Sequence, residues 1–261
     1  MSQHINIAWE KYSAVKIEEA KRCAAYAAVD DNFSEEIKVI GIGSGTTIAY
    51  VVERIAQKQG SQNMIFIPTG FQSRQLILDA SLSLGDVDAY SSIDLVFDGA
   101  DEIDENLNCI KGGGACLFQE KLIAVSAKKR IIIADYRKKS SVLGDKWQQG
   151  IPVEVVPIAY SRVMNSLIQL GALNPKLRLC NIYKAGPVIT DHGNFIIDAP
   201  FGKINNPSVL EKSIKMLIGV VEVGLFINIA DIIYFGNENG DVVCLFILLL
   251  VFSYYSLDCL P

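Results

Sequence analysis

The stretch KVIGIGSGTTIAYVVERIAQ (residues 38–57) decides the fold class. Its apolar beginning predicts a short strand, its three glycines predict a loop, and its apolar residues spaced three or four apart predict a helix. The same alternation recurs along the first half of the chain, as strand 64–67 with helix 73–80, strand 93–97 with helix 115–127, and strand 130–134. Alternating strands and helices predict an α/β fold whose parallel sheet is covered on both faces, with ligands bound beyond the carboxyl ends of its strands.

Residues 150–223 have a different pattern. They predict, in order, strand 153–156, helix 161–170, strands near 188 and at 195–197, helix 208–217 and strand 220–223. This order is typical of a smaller α+β domain of the ferredoxin-like kind. Residues 224–235 again resemble core strands. We therefore predict a Rossmann-like catalytic domain built from residues 1–149 and 224–241, with the small domain inserted before its last strands.

Composition excludes several classes of function. The net charge is −5, and basic residues are not clustered, so a nucleic-acid partner is not expected. The six cysteines include no CxxC pair, and residues 1–10 lack the pattern of a secretory signal, which favours a reduced cytoplasmic protein. Only two histidines are present, so a three-histidine zinc site is impossible. Acid–base chemistry would then rest on carboxylates and lysines.

The end of the chain, residues 242–261, is an atypical apolar tail. Its first sixteen residues carry no charge and would span roughly 24 Å as a helix, short of a bilayer core about 30 Å thick. A membrane anchor is therefore disfavoured but stays open. The alternatives are a strand or helix packed on the domain or at a dimer interface, and an irregular end that the protein tolerates.

The glycine loop, residues 41–47, is the first candidate binding site. Its glycines allow a ligand close to the backbone, and the hydroxyls of Ser44, Thr46 and Thr47 lie where a helix amino terminus favours an anion. The pattern is neither GxGxxG nor GxxxxGK[ST], so a single phosphate group fits better than a nucleotide. An ordinary strand-to-helix turn is the alternative.

The second candidate site begins directly after the strand at 93–97. Five acids lie within residues 98–105, and Lys111 with three glycines follows. Like charges this close together need a cation or a raised pKa, and Lys111 is a ready partner. A solvated acidic turn and a flexible glycine loop are the plainer alternatives. Glu120 follows on the predicted helix, where a lone glutamate usually faces solvent.

Together these segments resemble ribose-5-phosphate isomerase of the A type. The resemblance rests on GIGSGTT (41–47), PTGFQSRQLI (68–77), DLVFDGADEID (94–104), IKGGGACLFQEKLIA (110–124), IIIADYRK (131–138), GIPVEVVP (150–157), KAGPVITDHGNFIID (184–198) and GLFINIADIIYFG (224–236). It implies an aldose–ketose isomerase of the pentose phosphate pathway, interconverting D-ribose 5-phosphate and D-ribulose 5-phosphate. It also implies a homodimer that needs no metal and no other cofactor.

The resemblance assigns roles to particular residues. It implies that Glu120 is the general base that forms an enediolate, and that Asp98, Asp101 and Lys111 complete the catalytic group. Substrate-binding roles are implied for Lys21, Ser44, Gly45, Thr46, Thr47, Gly112, Gly113, Gly114 and Lys138. For such a substrate, Asp98, with Asp101 in support, would handle the protons of ring opening.

Three other functions are alternatives to the isomerase. An amino-sugar-phosphate deaminase is disfavoured because no suitable histidine lies near the acids. A sugar-phosphate sensor without catalysis is disfavoured because Glu120 is retained with Lys111, Asp98 and Asp101. A membrane-associated protein would depend on the apolar tail.

Overall fold

The computed structural model describes residues 2–180 and 184–246, with side chains from residue 14 onward. Within these residues the helices are α1 (Ser2–Asn32), α2 (Thr46–Ala56), α3 (Phe71–Asp79), α4 (Leu117–Ser126), α5 (Tyr160–Gln169) and α6 (Pro207–Lys215). The strands are β1 (Val39–Ile42), β2 (Ile65–Pro68), β3 (Ser83–Leu84), β4 (Ile93–Gly99), β5 (Glu102–Ile103), β6 (Cys109–Ile110), β7 (Ala127–Asp135), β8 (Ile151–Val155), β9 (Lys176–Leu177), β10 (Phe195–Ala199), β11 (Val220–Val223), β12 (Leu225–Phe226), β13 (Ile232–Gly236) and β14 (Val242–Phe246).

A large sheet forms the body of the molecule, with strand order β14-β13-β7-β4-β1-β2-β3. Its strands are parallel except for β14, which pairs antiparallel with β13. The predicted α/β fold with a mostly parallel sheet is therefore confirmed. The chain runs outward from β1 to β2 and β3 and then crosses to β4 on the other side of β1. Ligands of such sheets bind in the crevice where the strand order reverses, here between the carboxyl ends of β1 and β4.

Apolar side chains on alternate strand positions bury both faces of this sheet. On one face, Ile40 and Ile42 of β1 pack with side chains of α1, α2 and α3. On the other face, Val39 and Val96 pack with Ile123 of α4. These layers fix α2 and α4, whose amino termini lie near the crevice.

A second, four-stranded antiparallel sheet has the order β11-β8-β10-β9. Helices α5 and α6 pack on it through Val163, Leu167 and Ile214. A third sheet, β12-β6-β5, lies beside the crevice. The strand predicted near residue 188 is wrong. Among the described residues, this stretch makes only isolated bridges at Pro187 and Ile189, because proline has no backbone donor for a ladder.

Helix α1, from the beginning of the chain, packs on β13, from near its end. Gly236 of β13 lies so close to the backbone of Ala20 in α1 that no side chain would fit there. Nearby, Asn32 donates a hydrogen bond of 2.9 Å to the Tyr234 hydroxyl, which donates one of 3.0 Å to Asp31. These contacts fix α1 against the strand.

The apolar tail begins as β14, an edge strand of the large sheet. Part of the tail therefore packs on the sheet, as one of the alternatives expected. Residues 247–261 lie outside the described residues. Across the part of the chain that the structure describes, no helix is long and apolar enough to cross a membrane.

Glu102, a fully buried residue of β5, holds the segment that follows β7. Its carboxylate accepts hydrogen bonds from the backbone amides of Gly144 (2.7 Å), Lys146 (2.8 Å) and Trp147 (3.3 Å). Bonds to a charged acceptor each contribute about 1.5–3 kcal/mol, but water can replace part of the three bonds once the carboxylate is gone, so Glu102→Ala should lower stability by about 3 kcal/mol. Thermal unfolding should show a fall in the melting temperature of roughly 6–12 °C.

The control for this prediction is Glu105→Ala, because Glu105 lies in the same acidic run but is exposed. It should change the melting temperature little. An equal fall in the melting temperature of both variants would show that the Glu102 hydrogen bonds do not stabilise the fold.

Candidate active site

The glycine loop joins β1 to α2 and places its polar atoms at the amino terminus of the helix. Gly45, with φ of 111°, adopts a backbone conformation that side chains rarely allow. Its amide donates a hydrogen bond of 2.8 Å to Oε1 of Gln72. The Ser44 hydroxyl lies 2.8 Å from that of Thr69, and Thr46 accepts a bond of 2.9 Å from Lys21. The loop therefore offers hydroxyls, an ammonium and a helix terminus to one anion.

A cavity of about 460 Å³ lies at the crevice between β1 and β4. That volume is within the range of roughly 300–1,000 Å³ usual for small-molecule sites. It is lined by every residue for which a role was predicted except Asp98, namely Lys21, Ser44, Gly45, Thr46, Thr47, Asp101, Lys111, Gly112, Gly113, Gly114, Glu120 and Lys138. Segments separated by more than a hundred residues of sequence thus meet at one site.

The ammonium of Lys111 lies between two buried carboxylates at the floor of the cavity. Its Nζ is 2.9 Å from Oδ2 of Asp98 and 3.2 Å from Oε2 of Glu120, and it donates a bond of 2.5 Å to the carbonyl of Gly99. All three ionisable side chains are at least nine-tenths buried. Oε2 of Glu120 accepts no hydrogen bond from the described residues, although it faces this ammonium. A carboxylate oxygen with an unused lone pair is suited to accept a proton from a bound molecule.

Burial and mutual charge shift the pKa values of Glu120, Asp98 and Lys111. It raises the pKa of Glu120 from an ordinary 4.5 to about 8, with the charge of Asp98 adding to the shift and Lys111 opposing it. Burial also raises the pKa of Asp98 against the pull of Lys111. Burial alone would lower the pKa of Lys111, but the two carboxylates more than offset it and raise that pKa. A base with a pKa near 8 is far stronger than a solvated glutamate.

Asp101 and the three glycines that follow Lys111 also line the cavity. Oδ2 of Asp101 accepts a hydrogen bond of 2.7 Å from the amide of Gly113. A side chain at Gly113 would collide with this carboxylate, and Gly112 has φ of 104°. The glycines therefore allow a close approach between the loop and Asp101 that other residues would prevent.

The match to a family model now adds to this geometry. Residues 65–240 match the model for ribose 5-phosphate isomerase A (phosphoriboisomerase A). The chain belongs to the ribose 5-phosphate isomerase A family.

Relatives support this membership. A ribose-5-phosphate isomerase of Schizosaccharomyces pombe is 58% identical over 233 residues, which cover 89% of this chain and 85% of the relative. The structure of ribose 5-phosphate isomerase A from Methanocaldococcus jannaschii is 37% identical with a TM-score of 0.80, covering 88% of this chain and 99% of that one. A D-ribose-5-phosphate isomerase in complex with phospho-erythronic acid is 38% identical with a TM-score of 0.82, at the same coverage.

Sequence reasoning missed several residues that line the cavity of this family member. Gln72 follows β2, Asp135 and Arg137 lie at the end of β7, and Asp191 comes from the turn before β10. The first three follow the carboxyl ends of parallel strands, so the rule that selected Asp98 could have found them. Asp191 gave no such signal, because the sequence TDHGN is explained by its turn alone.

Proposed function

We propose that this chain interconverts D-ribose 5-phosphate and D-ribulose 5-phosphate through an enediolate, with Glu120 as the general base. The observation that carries the proposal is the buried carboxylate of Glu120, whose free Oε2 lies 3.2 Å from the Lys111 ammonium at a cavity lined by a phosphate-binding loop. Family membership supports the same reaction.

The substrate's phosphate would bind at the amino terminus of α2. Ser44, Gly45, Thr46 and Thr47 line the cavity there, and Lys21, which donates to the Thr46 hydroxyl, adds a positive charge. A relative bound to phospho-erythronic acid shows a phosphate-bearing ligand in this family. The anchor contributes no chemistry, but it fixes the sugar in place, which lowers the entropic cost of reaction.

The proton transfer would run between the carbons at the other end of the sugar. Glu120 takes the proton from C2 of the open-chain aldose, and the C1 carbonyl oxygen gains negative charge. The C2 hydroxyl proton then passes to the C1 oxygen, the proton on Glu120 returns to C1, and the ketone forms at C2. Lys111 lies beside Glu120 and would stabilise the enediolate oxygen. A donor placed in this way is worth about 3–4 kcal/mol in related sites.

The two aspartates would have different tasks. Asp101 lines the cavity, so we assign to it the protons of ring opening. Asp98 lies behind Lys111 and accepts hydrogen bonds from the amides of Gly99 (2.7 Å) and Ser44 (3.4 Å). We therefore assign to Asp98 a positioning role, holding Lys111 toward the substrate. Lys138, whose ammonium lies 5.4 Å from the centre of the Trp147 ring, would contact the substrate from the far wall.

We also propose the domain organisation, the oligomeric state and the cellular context of the protein. The order β8-α5-β9-β10-α6-β11 supports a separate ferredoxin-like unit at residues 150–223, inserted into a Rossmann-like domain. A homodimer, a cytoplasmic location and a place in the non-oxidative pentose phosphate pathway rest on the resemblance to the family. So does the absence of a metal requirement, which the Lys111 ammonium supports by supplying a cation at the acidic group.

An assay with a chelator tests the proposed function. Purified protein treated with EDTA should convert ribose 5-phosphate to ribulose 5-phosphate as fast as untreated protein, followed by the ketose absorbance. Ribose without phosphate should react far more slowly, because it lacks the anchor. No conversion in either sample would refute the isomerase, and conversion only without EDTA would refute the metal-free mechanism.

A further inference from the structure

Arg178, which follows β9, connects the four-stranded sheet to the triple-glycine loop at residues 112–114, which lines the cavity. Its Nη1 donates hydrogen bonds to the carbonyls of Gly112 (2.9 Å) and Gly113 (3.1 Å). Its Nε and Nη2 pair with both oxygens of Asp198 on β10, at 2.8 and 2.5 Å. Arg178 does not line the active-site cavity. It therefore acts on the loop from behind.

The peptide unit between Gly112 and Gly113 is held on both sides. Its carbonyl accepts from Arg178, and its N–H donates to Oδ2 of Asp101 at 2.7 Å. The carbonyl and N–H of a trans peptide point in opposite directions, so fixing the carbonyl also aims the N–H. The guanidinium of Arg178, together with the Ala115 amide that also donates to this carbonyl, thus orients the N–H toward Asp101.

The loop needs such an external hold. Three consecutive glycines have more conformational freedom than any other residues, and ordering them costs the most entropy. A Cβ atom added to Gly114 would have no atom within 4 Å. Within the loop, the Ala115 amide donates a hydrogen bond of 3.0 Å to the Gly112 carbonyl. Arg178 adds a donor from outside the loop and also reaches the Gly113 carbonyl. A planar guanidinium paired to a carboxylate presents these donors in a fixed direction.

We propose that Arg178, held by Asp198, is a positioning residue that orients the Gly112–Gly113 peptide and, through it, Asp101 in the active site. The inference rests on the proposed isomerase function and deepens it. Arg178 acts through Asp101 and does not touch the sugar. Its loss should therefore lower turnover more than substrate binding, since the proposed phosphate anchor is formed by other residues, at the amino terminus of α2.

The surface behind Arg178 gives experimental access to this interaction. A second cavity, of about 490 Å³, is lined by Arg178 and Asp198. In Arg178→Ala, a guanidinium ion added to the solution could enter there, pair with Asp198 and donate to the two carbonyls. Rescue by the added ion would show that the guanidinium group of residue 178 is itself required.

The test compares kcat and KM for Arg178→Gln, Arg178→Lys and a matched control. Arg178→Gln should lower kcat roughly 10- to 100-fold with KM changed by less than about threefold. Arg178→Lys should recover only part of this loss, because one ammonium cannot reproduce the fork. The control is Arg130→Gln: Arg130 forms the same two-oxygen pair with Asp231, at 2.8 and 2.6 Å, and does not line the cavity. It should keep normal kcat.

Chemical rescue distinguishes a positioning role of Arg178 from a purely structural role. Millimolar guanidinium should restore kcat of Arg178→Ala, whereas urea or sodium chloride at equal concentration should not. The proposal is overturned if the Arg178 variants keep kcat within about threefold of wild type, if Arg130→Gln loses as much, or if guanidinium gives no rescue. Inactivity of the wild-type protein would instead refute the proposed function.

Discussion

Replacing Glu120 by glutamine is expected to lower kcat about 10³-fold, while KM for ribose 5-phosphate changes only a few-fold. Glutamine has nearly the same shape and keeps the side chain beside Lys111, but it cannot accept the C2 proton. Steady-state kinetics measure the loss, and solvent exchange of the C2 proton measures the missing step directly. Glu105→Gln is the matched control, since Glu105 is exposed and should be replaceable without effect.

The pH dependence should report the same carboxylate. Glu120 must be ionised to act as a base, and burial raises its pKa to about 8. The value of kcat/KM should therefore fall about tenfold per pH unit as the pH decreases below about 8. A profile that stays flat through this range, or a Glu120→Gln variant with near-normal turnover, would remove Glu120 as the base.

The same shift sets the direction of the stability change. Because the pKa of Glu120 is higher in the folded protein than in the unfolded chain, its ionisation lowers stability as the pH rises from 4.5 toward about 8. Glu120→Gln removes this term. The variant should be no less stable than wild type at alkaline pH, so its loss of activity cannot be attributed to unfolding.

Replacing Lys111 by methionine should have the largest effect on stability. It leaves the carboxylates of Asp98 and Glu120 buried without their shared cation. Removing one partner of a buried ion pair typically costs about 3–5 kcal/mol, and turnover should be lost with it. The fall in melting temperature should be greater at alkaline pH, because at lower pH the two carboxyls bind protons and the cost is relieved.

Lys128→Met provides the control for this variant. Lys128 is 2.8 Å from Asp94, but its side chain is 67% exposed, so its pair should be worth less than about 1 kcal/mol. Adding Asp98→Asn to Lys111→Met should recover part of the lost stability, since a neutral amide replaces an unpaired charge. If Lys111→Met melts like Lys128→Met, the charge cluster does not determine stability.

The large sheet could be predicted from the sequence because its signals are local. The apolar runs of β1, β2 and β4 and the apolar spacing of α2 are visible within ten or so residues. Strand lengths in the second sheet were less predictable. The segment near Val188 carries β-branched residues, yet Pro187 lacks a donor and Gly186 has φ of 120°, so only single bridges form.

Only the site residues that directly follow a strand of the parallel sheet could be predicted from the sequence pattern. Asp98 and the glycine loop follow strands, and the rule for parallel sheets selects them. Glu120 could be selected only through the resemblance, because its burial arises from contact with Lys111 and Asp98 rather than from its own helix. Arg178 gave no signal at all, since its partners Gly112 and Asp198 lie 66 and 20 residues away.

The contact between Gly236 and Ala20 has a consequence for how the protein is made. Lys21 follows Ala20 directly, so β13 helps to hold it beside Thr46, in addition to the packing of α1 on α2. Domains begin to fold during synthesis from the amino terminus. Here α1 gains its support from β13 only after residue 236 has emerged from the ribosome. A nascent chain that stalls before that point would carry the whole acidic cluster but lack one of the supports of Lys21.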